Sequence, residues 1–306
     1  MALLNTAANR PSVILIVLGH LAQQRGKKDD FNRLIAVLSP RGLSQDGAHQ
    51  GDVRDSLRSV IDLGLVERTG DEVRLAEAAV RPVRAGQGST VALLREAVLA
   101  PTVNAGEWGS QAGARDLTNA LAWYLTFAPN AAPVAMEGGP RSAKDLQTAD
   151  FGPRQPAVRG RSEEEDDGGG WPIGNDNRWR AFRFWACSLG FAWVDPKGNL
   201  VPDPTPAVRD ALPAIAGKSP ELSAREFVDK LADAVPVLDT GRYREFVESN
   251  WRRPLPEQRR LSAPLTDALE RLRTDGQLVF DDRADAPRMT RADGSTFSHV
   301  RFQAKR

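Results

Sequence analysis

The sequence predicts a mainly helical α+β protein with small β-ribbons: an N-terminal winged helix, a helical middle, and a C-terminal half with winged-helix-like units. Three observations carry that prediction. First, one grammar recurs: a helix with an apolar stripe runs into a Gly that opens a strand, a polar turn and a second strand. It occupies Asp52 to Leu75, Trp179 to Val201 and Leu265 to Met289, pivoting on Gly64, Gly190 and Gly276. Second, apolar residues elsewhere recur at helical spacing between proline and glycine stops. Third, Thr69-Gly70-Asp71 and Asp195-Pro196-Lys197-Gly198 are turn sequences set between apolar runs.

Pro11 suits a first helical turn, where its missing N–H costs nothing, and Val13, Ile14, Val17, Leu18 and Leu21 give that helix one buried face before Gly26. Asp29 to Leu38 is a second helix, with Phe31, Leu34, Ile35 and Leu38 inward and Ser39-Pro40 as its stop. A polar loop, Arg41 to Gly51, leads to the third helix, with Val53, Leu57, Val60 and Ile61 inward, and then to the ribbon. Ser89 to Leu99 and Asp116 to Phe127 are further helices; the second is apolar on more than one side and is expected between neighbours. Asn177 caps a helix of Arg178 to Leu189, and Val194 to Val201 makes a hairpin. Thr205 is the expected N-cap of the next helix, with Pro206 at its first position. Ser223 to Ala234, Thr240 to Trp251 and a long helix capped by Ser262 complete the set before a terminal ribbon.

Domain organisation reads as a winged helix-turn-helix domain over 1–85, a helical segment packing on it over 86–128, a flexible acidic and Gly-rich linker or insertion over 129–170, and a C-terminal helical domain over 171–306. The run Ser162-Glu163-Glu164-Glu165-Asp166-Asp167 and the three glycines after it cannot bury enough to order themselves. A solvated loop is the expected reading, with an acidic mimic that occupies a DNA-binding surface or a partner's basic face as its rival.

Composition limits the function classes. The 306 residues allow two domains or three small ones, with ordinary apolar (41%) and charged (26%) fractions. One cysteine excludes an internal disulfide framework and fits a reducing cytosol. The longest apolar run, Val13 to Leu18, is far shorter than the roughly 20 residues a bilayer demands, so no membrane partner is expected and the start reads as mature and cytoplasmic. A net charge of +1 argues against simple high-affinity DNA binding.

No chemistry emerges. His20, His49 and His299 are isolated in sequence, and Cys187 sits in an apolar helix beside Trp185 and Leu189. Metal sites need clustered ligands. Gly168 to Gly174 follows an acidic run instead of a strand and lacks the Gly-Lys-Ser/Thr ending of a phosphate loop. Asp195-Pro196-Lys197 matches a nuclease triplet, but its central Pro suits a hairpin turn. No catalytic residue, metal or cofactor is expected, and the chain does not read as an enzyme.

Binding features are clearer. Arg54 and Arg58 lie four apart on the third helix, opposite Val53, Leu57 and Ile61, on the face a winged helix sets into the major groove. Arg68 and Arg74 lie on the ribbon, placed for phosphate. Asp55 and Asp62 weaken any positive field there. Arg242, Arg244, Arg252 and Arg253 surround Phe246 and Trp251, a candidate phosphate or partner patch. The aromatic row Trp171, Trp179, Phe182, Phe184, Trp185, Phe191 and Trp193 could stack bases, but Phe182, Trp185 and Leu189 keep helical spacing, which points to core.

Two stretches carry a family resemblance: Leu3-Leu4-Asn5 leading into Pro11-Ser12-Val13, and Arg178-Trp179-Arg180-Ala181-Phe182 through Leu189-Gly190-Phe191 to Pro202-Asp203-Pro204-Thr205. In that order they resemble DpdG, a family encoded with bacterial 7-deazapurine DNA modification and restriction clusters. Leu261-Ser262 to Gly276, then Arg283-Ala284-Asp285-Ala286, is consistent with it. The resemblance implies a non-catalytic component of a phage or plasmid defence system, working beside helicase and nuclease subunits. The expected function is a DNA-binding adaptor with weak, salt-sensitive affinity for duplex DNA. A protein–protein scaffold without DNA contact and a winged-helix transcription regulator stay open beside it.

Overall fold

Helices that bury one apolar stripe, joined by short strands, build both halves of the chain. The computed structural model describes residues 2–5, 9–40, 48–108, 113–139, 141–154, 170–257 and 259–303, with backbone only at 48 and 49. The acidic run ending at Gly169 and the loop from Arg41 to Gly47 lie outside the described residues. Two compact units result. Unit 1 takes residues up to 117 and Ile173–Leu189, and unit 2 takes 118–154, Gly170–Pro172 and the chain from Gly190 onward.

In unit 1, α1 (Pro11–Gln23) starts on its proline and buries Ile14, Val17, Leu18 and Leu21. The chain turns through Gly26 into β1 (Lys28–Asp30). It enters α2 (Phe31–Leu38) directly, where the Asp30 carboxylate caps the Arg33 N–H at 2.8 Å. Next comes α3 (Ala48–Asp62), four residues earlier than the start read from sequence at Asp52. The hairpin of β2 (Val66–Thr69) and β3 (Glu72–Leu75) pairs Val66 with Leu75 and Thr69 with Glu72. Lys28 pairs with Arg74, so the antiparallel sheet runs β1-β3-β2 with the last strand in the middle. Two helices come after the hairpin, α4 (Glu77–Ala85) and α5 (Gln87–Leu99). Sequence periodicity predicts no element at α4, because only Ala79 and Val83 are buried along it and Pro82 lies inside.

Next in the chain are α6 (Arg115–Tyr124), α7 (Ala143–Phe151) and α8 (Asp176–Ser188). The last belongs to unit 1, and its cap is Asn175, which accepts the Arg178 N–H at 3.0 Å, in place of the expected Asn177. Its Trp179, Phe182 and Trp185 are buried, as their spacing requires, while Phe184 faces out. The Trp185 indole donates to the Asn9 carbonyl at 3.1 Å, and the Arg95 Nε donates to the Leu189 carbonyl at 2.6 Å.

One buried carboxylate ties the first residues into unit 1. Asp116 accepts backbone N–H groups from Leu3 (3.1 Å), Leu4 (2.7 Å) and Leu117 (2.8 Å). Leu3 and Leu4 are buried in consequence. Burial raises the Asp116 pKa, against the nearby Arg178 guanidinium and the three N–H donors.

In unit 2, α7 lies within 129–170, where sequence periodicity predicts no element; Ser142 caps it by accepting the Asp145 N–H at 3.1 Å. The ribbon of β4 (Ala192–Val194) and β5 (Leu200–Pro202) closes on a turn in which the Asp195 carboxylate accepts N–H groups of Lys197 and Asn199, both at 2.8 Å. Then come α9 (Thr205–Ala216), β6 (Glu221–Ser223), α10 (Ala224–Ala234), α11 (Arg242–Glu248) and α12 (Ala263–Thr274). Asp203, not Thr205, supplies the acceptor at the head of α9, taking the Thr205 N–H at 3.0 Å. The Ser262 hydroxyl, read as a helix cap, donates instead to Asp239 at 2.7 Å.

The chain closes with β7 (Leu278–Asp281), β8 (Met289–Thr290), β9 (Thr296–Phe297) and β10 (His299–Phe302). The partner of β7 is β10, with Val300 opposite Phe280, so the third ribbon ends beyond Met289, where the sequence reading closed it. Met289 belongs to a separate short hairpin, β8 with β9. The strand order β6-β10-β7 repeats that of β1-β3-β2. The molecule is therefore mainly helical, α+β, with small antiparallel sheets.

Replacing Asp116 by Ala leaves three buried N–H groups without an acceptor and is expected to cost about 2–4 kcal/mol in denaturant unfolding. The wild-type chain adds a pH signature. A carboxyl whose folded pKa is raised above 3.8 favours folding when protonated, so its contribution is present below 3.8 and is lost as pH rises through the folded value. The Asp116→Ala variant should lack that component, and unfolding midpoints measured across acidic pH check it.

Candidate functional site

The face of α3 is set by its inward side. Val53, Leu57 and Val60 are buried, and the Ser59 hydroxyl returns to the Asp55 carbonyl at 3.0 Å. Arg54 and Arg58 stay exposed on the opposite side. The Arg58 guanidinium lies 3.5 Å from the Asp55 carboxylate, a long and exposed pair. Arg54 has no ion-pair partner among the described residues.

The ribbon arginines are held. Arg68 donates from Nε to the Gly70 carbonyl at 2.8 Å and stacks over the Phe31 ring, 4.1 Å from its centroid. Arg74 lies 2.9 Å from Glu72, which also takes the Lys28 ammonium at 2.5 Å. The hydrogen bond from Lys28, then that from Arg74, holds the Glu72 carboxyl below its ordinary range. Lys28, Arg74 and Glu67 stand opposite one another across the sheet. With Glu72 two residues along and Asp30 opposite it, that face sets two cations against three carboxylates and carries no positive field. Lys28 had no signal in the sequence: a Lys-Asp-Asp strand shows no apolar alternation, and only its pairing with β3 brings it here.

Beneath the sheet, Asp29 is 2% exposed and pairs with His20 of α1 at 2.8 Å. Burial alone would raise this carboxyl, but the His20 hydrogen bond, the Asp30 N–H and Arg33 together hold it below its ordinary value. This pair joins α1 to β1.

In unit 2, Arg242, Arg244, Arg252 and Arg253 divide. Arg244 is 4% exposed in its side chain, 2.5 Å from Glu248, with Nη1 donating to the Ala122 carbonyl at 3.4 Å. Arg253 lies between the Phe127 and Trp251 rings, 4.9 and 4.2 Å from their centroids, with Nε 2.9 Å from Asp150 Oδ1. That approach is an ion pair without hydrogen-bond alignment. Burial lowers the Arg253 pKa, against the attraction of Asp150. Asp150 is itself raised by burial, against the Trp123 indole N–H at 2.7 Å and Arg253. Arg242 and Arg252 remain exposed.

Cys187 is half-buried and burial pushes its thiol up, away from nucleophilic thiolate. Among the described residues, no group of three His, Cys, Asp or Glu side chains could hold a metal, and no helix is long and apolar enough to cross a membrane.

The fold is thus that of an α+β protein whose two three-stranded sheets share one strand order. A family model described as DpdG-like matches residues 1–286, and the chain belongs to the DpdG-like family. No curated protein and no solved structure matches it.

Arg54 and Arg68 should separate in stability measurements. Arg54→Glu breaks no contact among the described residues and is expected to change unfolding free energy by less than about 0.5 kcal/mol. Arg68→Glu loses the Phe31 stack and the Gly70 bond and should cost about 1–2 kcal/mol in the same denaturation experiment.

Proposed function

We propose that this chain is a non-catalytic DNA-binding adaptor of a bacterial DNA modification and restriction system active in phage and plasmid defence. Membership of the DpdG-like family supports the setting. In this reading α1, β1, α2, α3 and the β2–β3 ribbon form a winged helix-turn-helix, with α3 as the helix that enters the major groove. The order β1-β3-β2 and the tight turn between β2 and β3 support it. The single observation that carries DNA contact is the outward pair Arg54 and Arg58 on α3, with Arg54 free of any described partner. Arg68 and Arg74 would touch phosphate after exchanging Asp71 and Glu72 for it. Unit 2 would dock other defence proteins, helicase or nuclease subunits among them, in the cytoplasm. The proposal includes no catalytic residue, metal or cofactor.

One observation favours a second reading, a protein–protein scaffold without DNA contact. The sheet face of Lys28, Arg74, Asp30, Glu67 and Glu72 sets two cations against three carboxylates, and the whole chain carries only +1. Mixed signs of that kind suit protein contact better than phosphate.

Anisotropy titration with a labelled duplex decides between them. The adaptor reading expects binding at low salt that weakens with a log–log slope of about −2 to −4, as for a few phosphate contacts. Arg54→Glu combined with Arg58→Glu should abolish it. A flat titration at low salt, or an unchanged double variant, leaves the scaffold reading.

A further inference from the structure

Unit 2 contains a groove of about 410 Å³ between α11 and the segment that comes after it. It continues into a second hollow of about 300 Å³ beside Trp251 and Arg253. Three features mark the groove and its extension. Thr240 and Arg259, on its two sides, hold left-handed backbone at φ 60 and 70, where side chains other than glycine rarely go. Leu255 on its rim is 71% exposed, the largest exposure among the large apolar side chains described. The Trp251 indole N–H is buried with no hydrogen-bond partner among the described residues. Strained backbone and an unsatisfied donor concentrate at sites that do something other than fold.

The walls are built firmly. Gly241, next to Thr240, packs so closely that a Cβ there would meet the Pro236 carbonyl oxygen at 2.4 Å. Asp239 takes both the N–H and the hydroxyl of Ser262 at 2.7 Å. Across the groove, the Arg259 carbonyl accepts the Thr290 N–H at 2.8 Å. A groove held this way loses little entropy on binding.

Its chemistry selects the occupant. The α11 wall presents Glu245 and Glu248; Glu248 is spoken for by Arg244, while Glu245 has no cation partner among the described residues. Leu255, Leu261 and Met289 supply an apolar strip beside them. Glu257 stands at the mouth, paired with Arg260 at 3.5 Å, and Arg259 also lines the groove. With Asp239, Glu245, Glu248 and Glu257 against Arg259 and Arg260, the lining keeps a net negative charge that disfavours a phosphate backbone. We infer that this groove docks an extended peptide of a partner protein, one that sets a lysine or arginine against Glu245 and an adjacent apolar side chain against Leu255. The inference rests on the adaptor reading and assigns its partner-docking half a place and a chemistry.

The test uses the full chain and a fluorescein-labelled peptide, Gly-Lys-Leu-Gly-Lys-Leu-Gly, read by anisotropy. Control peptides replace Lys by Glu or Leu by Ser. Saturable binding is expected for the first peptide, with affinity lower by about tenfold or more for either control. Glu245→Lys and Leu255→Asp, both at exposed positions and each checked for an unchanged circular dichroism spectrum, should weaken the first peptide by a similar factor. Absence of saturable binding, equal binding of the Glu control, or two unaffected variants overturns the proposal. The same preparations are titrated with duplex DNA. Peptide binding lost while duplex binding stands sinks the groove alone. Duplex binding lost while the peptide still binds upholds the groove and removes the DNA half of the adaptor reading.

Discussion

The geometry of unit 1 depends on how α3 ends. Gly64 adopts φ 72, its N–H returning to the Ile61 carbonyl at 2.9 Å and the Leu65 N–H to the Val60 carbonyl at 3.0 Å. This is a Schellman turn, and it satisfies carbonyls that the helix end would leave open. It also throws the chain straight into β2, which fixes where Val66 meets Leu75 and so where Arg68 and Arg74 stand relative to Arg54 and Arg58. A Cβ at Gly64 would meet nothing, so the demand for glycine comes from backbone conformation alone, about 1–2 kcal/mol. Gly276 repeats the device after α12, with φ 70 and bonds from Gly276 to Arg273 at 3.0 Å and from Gln277 to Leu272 at 2.9 Å.

The chain beyond each glycine distinguishes the two units. After Gly64 the hairpin closes tightly at Gly70 and leaves the outer side of α3 open. After Gly276 the chain makes an excursion between β7 and β10 and folds back on α12. The Ala292 N–H donates to the Thr266 hydroxyl at 2.9 Å, and Arg291 lies 4.5 and 4.9 Å from the Phe280 and Phe297 ring centroids. Arg271 pairs with Asp203 and Arg273 with Glu270. The same strand order therefore yields a helix with Arg54 and Arg58 exposed in one unit and a helix packed against its own chain in the other.

Much of this was legible in the sequence, and the reasons are local. Glycines at helix ends, the Asp195 turn and the spacing of Phe182, Trp185 and Leu189 are each decided within a few residues. The features that stayed hidden depend on distant partners. β1 and β6 are three residues each and become strands only because β3 and β10 lie beside them. α7 is short and weakly apolar, and its anchor is Asp150, through Trp123 and Arg253. The candidate site divides the same way. Helical periodicity placed Arg54 and Arg58 outward, but no spacing rule could show Arg68 lying on Phe31, Arg74 sharing Glu72 with Lys28, or Arg244 turned in against Glu248.

Those local partners bear on the proposed DNA contact. Exposed pairs such as Arg58 with Asp55 or Arg74 with Glu72 are worth no more than about 1 kcal/mol each. A phosphate can replace Asp55 or Glu72 at little cost, so the pairing does not forbid contact. In the proposed contact a displaced carboxylate would stay close to the DNA backbone, which would keep affinity low and salt-sensitive. Weak contact of that kind is useful when another subunit already holds the duplex, because linkage turns a second encounter into an intramolecular one. In the proposed adaptor, the exposed Arg54 and Arg58 of α3 in one unit and a groove of net negative lining in the other would then be complementary halves, neither needing high affinity alone.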